Sequence, residues 1–198
     1  MGIIKAKPEY SKNGPNDEYY TPAAAVELIL PFIPKSVKTI WECTAVKESQ
    51  IVKVLRLNGY NVIPTHINEG FDYFNDEPED YDLTITNPPY SCKDQFLQRA
   101  FTLGKPFMFL LPITTLEGFK RNKMFRDNGI QLIIPDRRFS FKSKGNGAWF
   151  QTSWFTHGLN LDKDLNFIPV KDTKKSPIQR LNTGTSVIDL NNEFLLAA

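Results

Sequence analysis

Asn87-Pro88-Pro89-Tyr90 is the stretch of this sequence best equipped for chemistry. The residues before it, Leu83-Thr84-Ile85-Thr86, favour a strand, and two consecutive prolines cannot extend a sheet because neither offers an N–H. An amide, two rigid residues and an aromatic ring are thus set at a strand end. An Asn side-chain oxygen and a backbone carbonyl fixed by proline are two acceptors able to grip both hydrogens of an amine. The exocyclic amine of a nucleobase needs such a grip. Its lone pair is delocalised into the ring, and it attacks an electrophilic carbon poorly until the nitrogen becomes pyramidal. The ring that follows offers a flat face for stacking a base, a contact worth about 1–3 kcal/mol. Asn87 and the Pro88 carbonyl take the first role, Pro89 adds rigidity, and Tyr90 takes the second.

Such a quartet must be positioned by a sheet. Thr21 reads as the cap and Pro22 as the first residue of a short helix in "TPAAAVELILPFIP". Val37–Glu42 reads as a strand and Gln50–Gly59 as an amphipathic helix stopped by Asn-Gly. Tyr60–Ile67 and Tyr81–Asn87 read as further strands. Lys93–Gly104 places Phe96, Leu97, Ala100, Phe101 and Leu103 on one helical face. Lys105–Pro112 is almost continuously apolar, as in a sheet covered on both sides. Glu117–Gly129 is a basic helix, Ile130–Pro135 a strand, and Ala148–His157 an alternating final strand. Alternating strands and helices predict a parallel, doubly wound sheet. The last two strands have no helix between them, which predicts an antiparallel hairpin at one edge. In such a sheet the segments leaving the parallel strands share one rim, where ligands bind. That rule gathers Cys43–Ser49, His66–Asn68, the quartet, Pro112–Gly118 and Pro135–Gly147.

The 198 residues suffice for one domain with a sizeable core. Residues 1–18 read as a polar arm, 19–158 as the domain, and 159–198 as a C-terminal extension. A content of 41% hydrophobic and 23% charged residues is ordinary for a globular protein, whereas 15 Phe are enough to serve either a core or base stacking. No apolar run approaches the roughly 18 residues of a membrane span, and the N-terminus lacks the apolar stretch of a signal peptide. A cytoplasmic protein without a membrane partner is expected. Cys43 and Cys92 form neither a disulfide framework nor, with two His, a metal-ligand pattern, so no metal is expected. Charge is divided along the chain. Residues 1–91 hold 8 Lys/Arg against 13 Asp/Glu, and residues 92–198 hold 16 against 9, which suits a polyanionic partner on the second half.

With its flanking residues, the quartet resembles the motif of amino-methyltransferases that use S-adenosylmethionine, and the run "ITNPPYS…K..FL.RAF.LGKPF..LLP…LEG..R" looks like small bacteriophage DNA N6-adenine methyltransferases. The resemblance covers roughly residues 17–157. It implies a Rossmann-like class I methyltransferase fold, a mostly parallel sheet of seven strands, S-adenosylmethionine as cofactor and adenine N6 as acceptor. "DEYYTP" resembles the family's upstream motif, which nominates Tyr20, Thr21 and Pro22 for the methionine end of the cofactor. "GFDYF" resembles its adenine-holding pair, which nominates Asp72 and Tyr73. Glu42 matches the acidic position after the first strand. The family then expects glycines, which let the backbone approach the cofactor closely. Here Cys43–Ser49 contains none, so Thr44 and Ala45 stand in for glycine, and His66 ends the second strand where an acid is expected. Two readings stay open: an enzyme with a rebuilt cofactor loop, in which Glu48 or His66 meets the ribose, or a fold that has lost its cofactor and binds nucleic acid or a partner.

A target base inside a duplex must be flipped out before Asn87 can reach it. Phosphate contacts are expected from Lys120, Arg121, Lys123 and Arg126 and from the loop bearing Arg137, Arg138, Lys142 and Lys144. Residues 117–144 hold 8 basic against 3 acidic side chains, interleaved with Phe139 and Phe141 and followed by Trp149, as in a stacking platform. The chain has no room for a separate recognition domain, so it reads sequence through loops, has little specificity, or acts as a homodimer. DNA is the expected partner, with RNA adenine as the further alternative.

Overall fold

A computed structural model describes residues 20–141 and 150–170. Its strands are β1 (Thr39–Glu42), β2 (Asn61–Pro64), β3 (Leu83–Thr86), β4 (Phe107–Pro112), β5 (Gln131–Pro135), β6 (Thr152–His157) and β7 (Leu165–Ile168). They form one sheet in the order β2-β1-β3-β4-β6-β5-β7. β1 pairs in parallel with β2 and β3, β3 pairs in parallel with β4, and β5 with β7. β6 alone runs against its neighbours, β4 and β5.

The mostly parallel sheet with one antiparallel strand matches the sequence expectation, but that strand is not at the edge. β6 lies inside the sheet, between β4 and β5, and has no face for solvent. Thr152 through Thr156 are all buried, with Trp154 in one core and Phe155 in the other. The edge falls instead to β7, in a stretch that sequence patterning assigned to the C-terminal extension. Its alternation of exposed Leu165 and Phe167 with half-buried Asn166 and Ile168 suits that place.

Four α-helices cover the sheet: α1 (Ala23–Glu27), α2 (Gln50–Leu57), α3 (Lys93–Leu103) and α4 (Phe119–Asn128). Pro22, in an extended conformation, occupies the N-cap of α1, so this helix begins one residue later than expected and Thr21 does not cap it. Ser49 caps α2 by accepting from the Val52 N–H. α3 stops at Gly104, whose φ of 68° is a left-handed turn that glycine enters without Cβ strain.

The two helical layers bury chemically different cores. Ala25, Val26 and Ile29 of the α1 segment and Ile51, Val54 and Leu55 of α2 belong to one, with Ile40, Leu83, Ile85, Met108 and Leu110. Phe96 and Leu97 of α3 belong to the other, with Trp41, Phe107, Phe109, Leu111 and Phe155. Strand β4 supplies both by simple alternation, which explains its continuous apolar sequence. Trp154 is buried to its polar tip, and its indole N–H donates to the Ala25 carbonyl at 2.9 Å, fastening the α1 segment to β6.

The chain leaves β1 for β2 on one side and crosses back to β3 on the other. The topological switch point therefore lies between the C-terminal ends of β1 and β3, where open α/β sheets bind ligands. No helix among the described residues is long and apolar enough to cross a membrane.

Candidate active site

Across the switch point, the residue ending β1 meets the residue ending β3. Thr86 Oγ1 donates to Glu42 Oε1 at 2.8 Å. Thr44 donates to the same oxygen from its N–H and its hydroxyl, both at 3.1 Å, and Ser49 Oγ reaches Oε2 at 3.3 Å. Glu42 is 1% exposed, and no cation among the described residues pairs with it. Burial pushes its pKa up to about 7, outweighing the four hydrogen bonds that favour the carboxylate.

A count of protons points the same way. The hydroxyls of Thr44 and Thr86 lie 2.6 Å apart, so with Glu42 Oε1 they close a triangle of three hydrogen-bonding edges. Two hydroxyl hydrogens fill only two edges, and the third is filled when Glu42 carries a proton. This geometry suits a neutral acid at rest. A cation arriving at the switch point would favour its ionisation.

The glycine-free segment after β1 stays close to the sheet by hydrogen bonding. Thr65 N donates to Glu42 O and Ala45 N to Thr65 O, each at 2.9 Å, which carries the β1–β2 ladder one step further. Cys43 and Ala45 are buried there, and Trp41 Nε1 donates to Thr65 Oγ1 at 2.8 Å. Sequence reasoning nominated Glu42, Thr44 and Ala45 but missed Ser49 and Thr86. The available signals were a Ser at a helix N-cap and a Thr immediately before the quartet.

The other cofactor nominees differ in what they present. Half-buried His66 accepts from the Asn68 N–H through Nδ1 at 3.1 Å, so a neutral ring carries its hydrogen on Nε2. Glu48 is exposed and paired with Lys53, which lowers its pKa. Asp72 shapes its own loop, accepting from Phe74 N at 3.0 Å and Asn75 Nδ2 at 2.6 Å. Tyr73 is 2% exposed and stacks on Phe96 with ring centroids 4.6 Å apart. Tyr20 is exposed, Thr21 buried and Pro22 half-buried ahead of α1, and no hydrogen bond among the described residues joins them to Glu42. Asp17 to Tyr19 of the same motif lie outside the described residues.

The quartet lies directly after β3, on the rim of the switch point. Asn87 and Pro89 are half-buried, Pro88 is buried, and Tyr90–Cys92 form a 3-10 turn leading into α3. The main-chain oxygen of Asn87 lies 3.4 Å from Thr44 Oγ1, so the quartet and the Glu42 cluster are joined. Tyr90 is 8% exposed, its ring covered edge-on by Phe150 at 5.5 Å. Stacking on a base therefore requires Phe150 to move aside.

The basic residues differ in their pairing and exposure. Arg121, its side chain 16% exposed, donates to both Asp94 carboxylate oxygens at 2.8 and 3.0 Å and to the Thr115 carbonyl at 2.8 Å. It clamps the start of α4 to the start of α3, so its guanidinium is already engaged within the protein. Arg121→Met is expected to cost about 2 kcal/mol in urea unfolding, since it removes charge-assisted bonds at a part-buried site. Lys123 pairs with Asp127 and Arg137 with Asp136, while Lys120, Arg126 and Arg138 are exposed. Phe139 and Phe141 are buried in the first core and form no stacking platform; their alternation with exposed Arg138 and Ser140 is the period of an extended segment with its apolar side inward. Lys142, Lys144, Gly145, Gly147 and Trp149 lie outside the described residues.

A seven-stranded, mostly parallel sheet with one antiparallel strand inserted near its end, and helices on both faces, is a Rossmann-like methyltransferase fold. No protein-family model matches the chain, and no curated protein matches it. Among solved structures it is similar to a predicted O-methyltransferase from Agrobacterium tumefaciens, at 11% identity, covering 83% of this chain and 96% of that one, with a TM-score of 0.40. It is also similar to a release-factor-specific protein-(glutamine-N5) methyltransferase from Alicyclobacillus acidocaldarius, at 15% identity, covering 69% of this chain and 93% of that one, with a TM-score of 0.38. Both likenesses are remote, and the sheet order carries the fold.

Proposed function

We propose that the protein methylates the exocyclic amine of a nucleobase, adenine N6 in DNA, using S-adenosylmethionine. The observation supporting this reading is the junction at the switch point. Asn87-Pro88-Pro89-Tyr90 follows β3 and is joined through Thr44 and Thr86 to a buried carboxyl at the end of β1 that has no counter-cation among the described residues. S-adenosylmethionine, when bound, supplies an electrophilic methyl group on a sulfonium centre and also carries an ammonium. The Glu42 carboxyl fits those positive charges, and the Nε2 hydrogen of His66 fits a ribose hydroxyl.

In this reading Asn87 Oδ1 and the Pro88 carbonyl accept the two amine hydrogens and draw the nitrogen lone pair out of the ring. Pro89 keeps that carbonyl in place, and Tyr90 stacks on the base once Phe150 has moved. The amine nitrogen bonds the methyl carbon as the sulfonium–methyl bond breaks to leave a neutral thioether, and the proton the nitrogen then sheds passes to water, without a covalent enzyme intermediate. The resemblance of the quartet and its flanks to phage enzymes supports a role in protecting phage DNA from restriction.

A second reading is a non-catalytic protein that binds nucleic acid or a partner. It is favoured by Asp72 and Tyr73, which are engaged in their own loop and core. Calorimetry with S-adenosylmethionine separates the two, and saturable heat at up to near-millimolar cofactor is the expected result. Its absence would sink the enzyme reading and leave the binding one. Labelled-methyl transfer to DNA and to RNA, run side by side, then decides the acceptor.

A further inference from the structure

Phe119 is 86% exposed, the most exposed of the large apolar side chains among the described residues. It opens α4, just beyond the turn that follows β4, and so stands on the same rim as the quartet that follows the neighbouring strand β3. Leu116, also exposed, lies in the turn before it. Lys120 and Arg126, both exposed, make no ion pair among the described residues. At helical spacing, Arg126 falls two turns along the same face as Phe119.

The base of this projection is rigid. Two residues after Phe119, Arg121 grips Asp94, which lies four residues after Tyr90. Gly118 makes the approach possible: its φ is 99°, and a Cβ there would come within 2.7 Å of the Arg121 guanidinium. The clamp therefore holds an exposed aromatic ring at a set place beside the quartet.

We propose that Phe119 is a wedge that enters the base stack of a DNA duplex when the target base is drawn out toward Asn87. This rests on the nucleobase-amine reading above. An apolar side chain pushed between base steps fills the space that a displaced base leaves, and the cations further along the same helix hold phosphates beside it. The occupant is a duplex rather than an apolar partner, because along this segment the exposed cations Lys120 and Arg126 outnumber exposed Glu117, and Leu116 is the one exposed apolar neighbour in the preceding turn.

Permanganate oxidation tests this on a linear plasmid of several kilobases, because it reports unpaired thymines at any sequence. The full chain without cofactor is expected to expose discrete reactive thymines, the partners of displaced adenines. At equal occupancy, set by filter binding, Phe119→Ala is expected to lose about tenfold or more of that reactivity, and Phe119→Trp to restore it. Filter binding of the plasmid should stay within about threefold, since phosphate contacts carry most of the affinity. Thermal melting should match the parent, because the side chain is in solvent. A Phe119→Ala variant that keeps the reactive thymines overturns the wedge, as does a parent that binds the plasmid but exposes none. A parent that binds no plasmid overturns the nucleic-acid reading itself, a separate and distinguishable result.

Discussion

Asn87→Ala is expected to lower methyl transfer to DNA by about 10²–10³-fold, the usual cost of removing one preorganised hydrogen-bonding group from a transition state. The proposed site holds the amine by two acceptors, and this variant removes the one that is a side chain. Its main-chain oxygen, which lies within reach of Thr44, is untouched. Asn87 is only half-buried, so unfolding in urea should change by no more than about 1 kcal/mol. DNA retention on filters, which the proposal assigns to Lys120 and Arg126, should stay salt-sensitive and close to the parent's. Labelled-methyl transfer under saturating cofactor gives the answer. A variant as active as the parent would remove Asn87 from the chemistry and with it the assigned role of the quartet.

Glu42→Gln is expected to raise stability at pH 8 and lower cofactor affinity together. The carboxyl has an ordinary pKa of 4.5 and, buried here, one of about 7. Between those values the folded chain holds a proton that the unfolded chain releases. The stabilisation from this group is therefore complete below pH 4.5, declines as pH rises through 7, and is absent above it. Its full size is about 3 kcal/mol, from the width of that window. Gln keeps the shape and remains uncharged, with its oxygen toward Thr44 and Thr86 and its amide toward Ser49. Its oxygen carries no hydrogen to fill the third edge of the triangle, so it should fall about 1 kcal/mol below the parent near pH 4 and exceed it by about 1–2 kcal/mol at pH 8, as urea midpoints at the two pH values would show. Affinity for S-adenosylmethionine at pH 8 should fall by about tenfold, because the buried negative charge facing a cation is gone. Stability gained where binding is lost is the exchange seen at functional sites. If the variant binds as tightly as the parent, Glu42 serves the fold alone.

Much of this architecture could be read from local pattern. Asn87 to Tyr90 could be placed at a strand end because two prolines exclude any other position after Leu83–Thr86. The two-sided burial of β4 followed from its unbroken apolar run, and the end of α3 from Gly104. These are short-range consequences of backbone donors, side-chain period and glycine's freedom. They need no knowledge of distant partners.

Other features depend on which distant residues meet, and local pattern carries no record of that. The same alternating residues of β6 suit an edge or an interior strand, and only the gap left between β4 and β5 draws it inside. Phe139 and Phe141 look like a stacking platform until the first core claims them, and Tyr73 packs on a ring 23 positions away. Arg121 counts as one more basic residue until Asp94, 27 positions earlier, is found opposite it. The same is true of Glu42. Its acidic type and place after β1 were plain from sequence, but its hydroxyl partner Thr86 is 44 positions away. The resulting burial, and with it the raised pKa of Glu42, was decided by tertiary packing, because desolvation belongs to a place in the fold and not to a residue type.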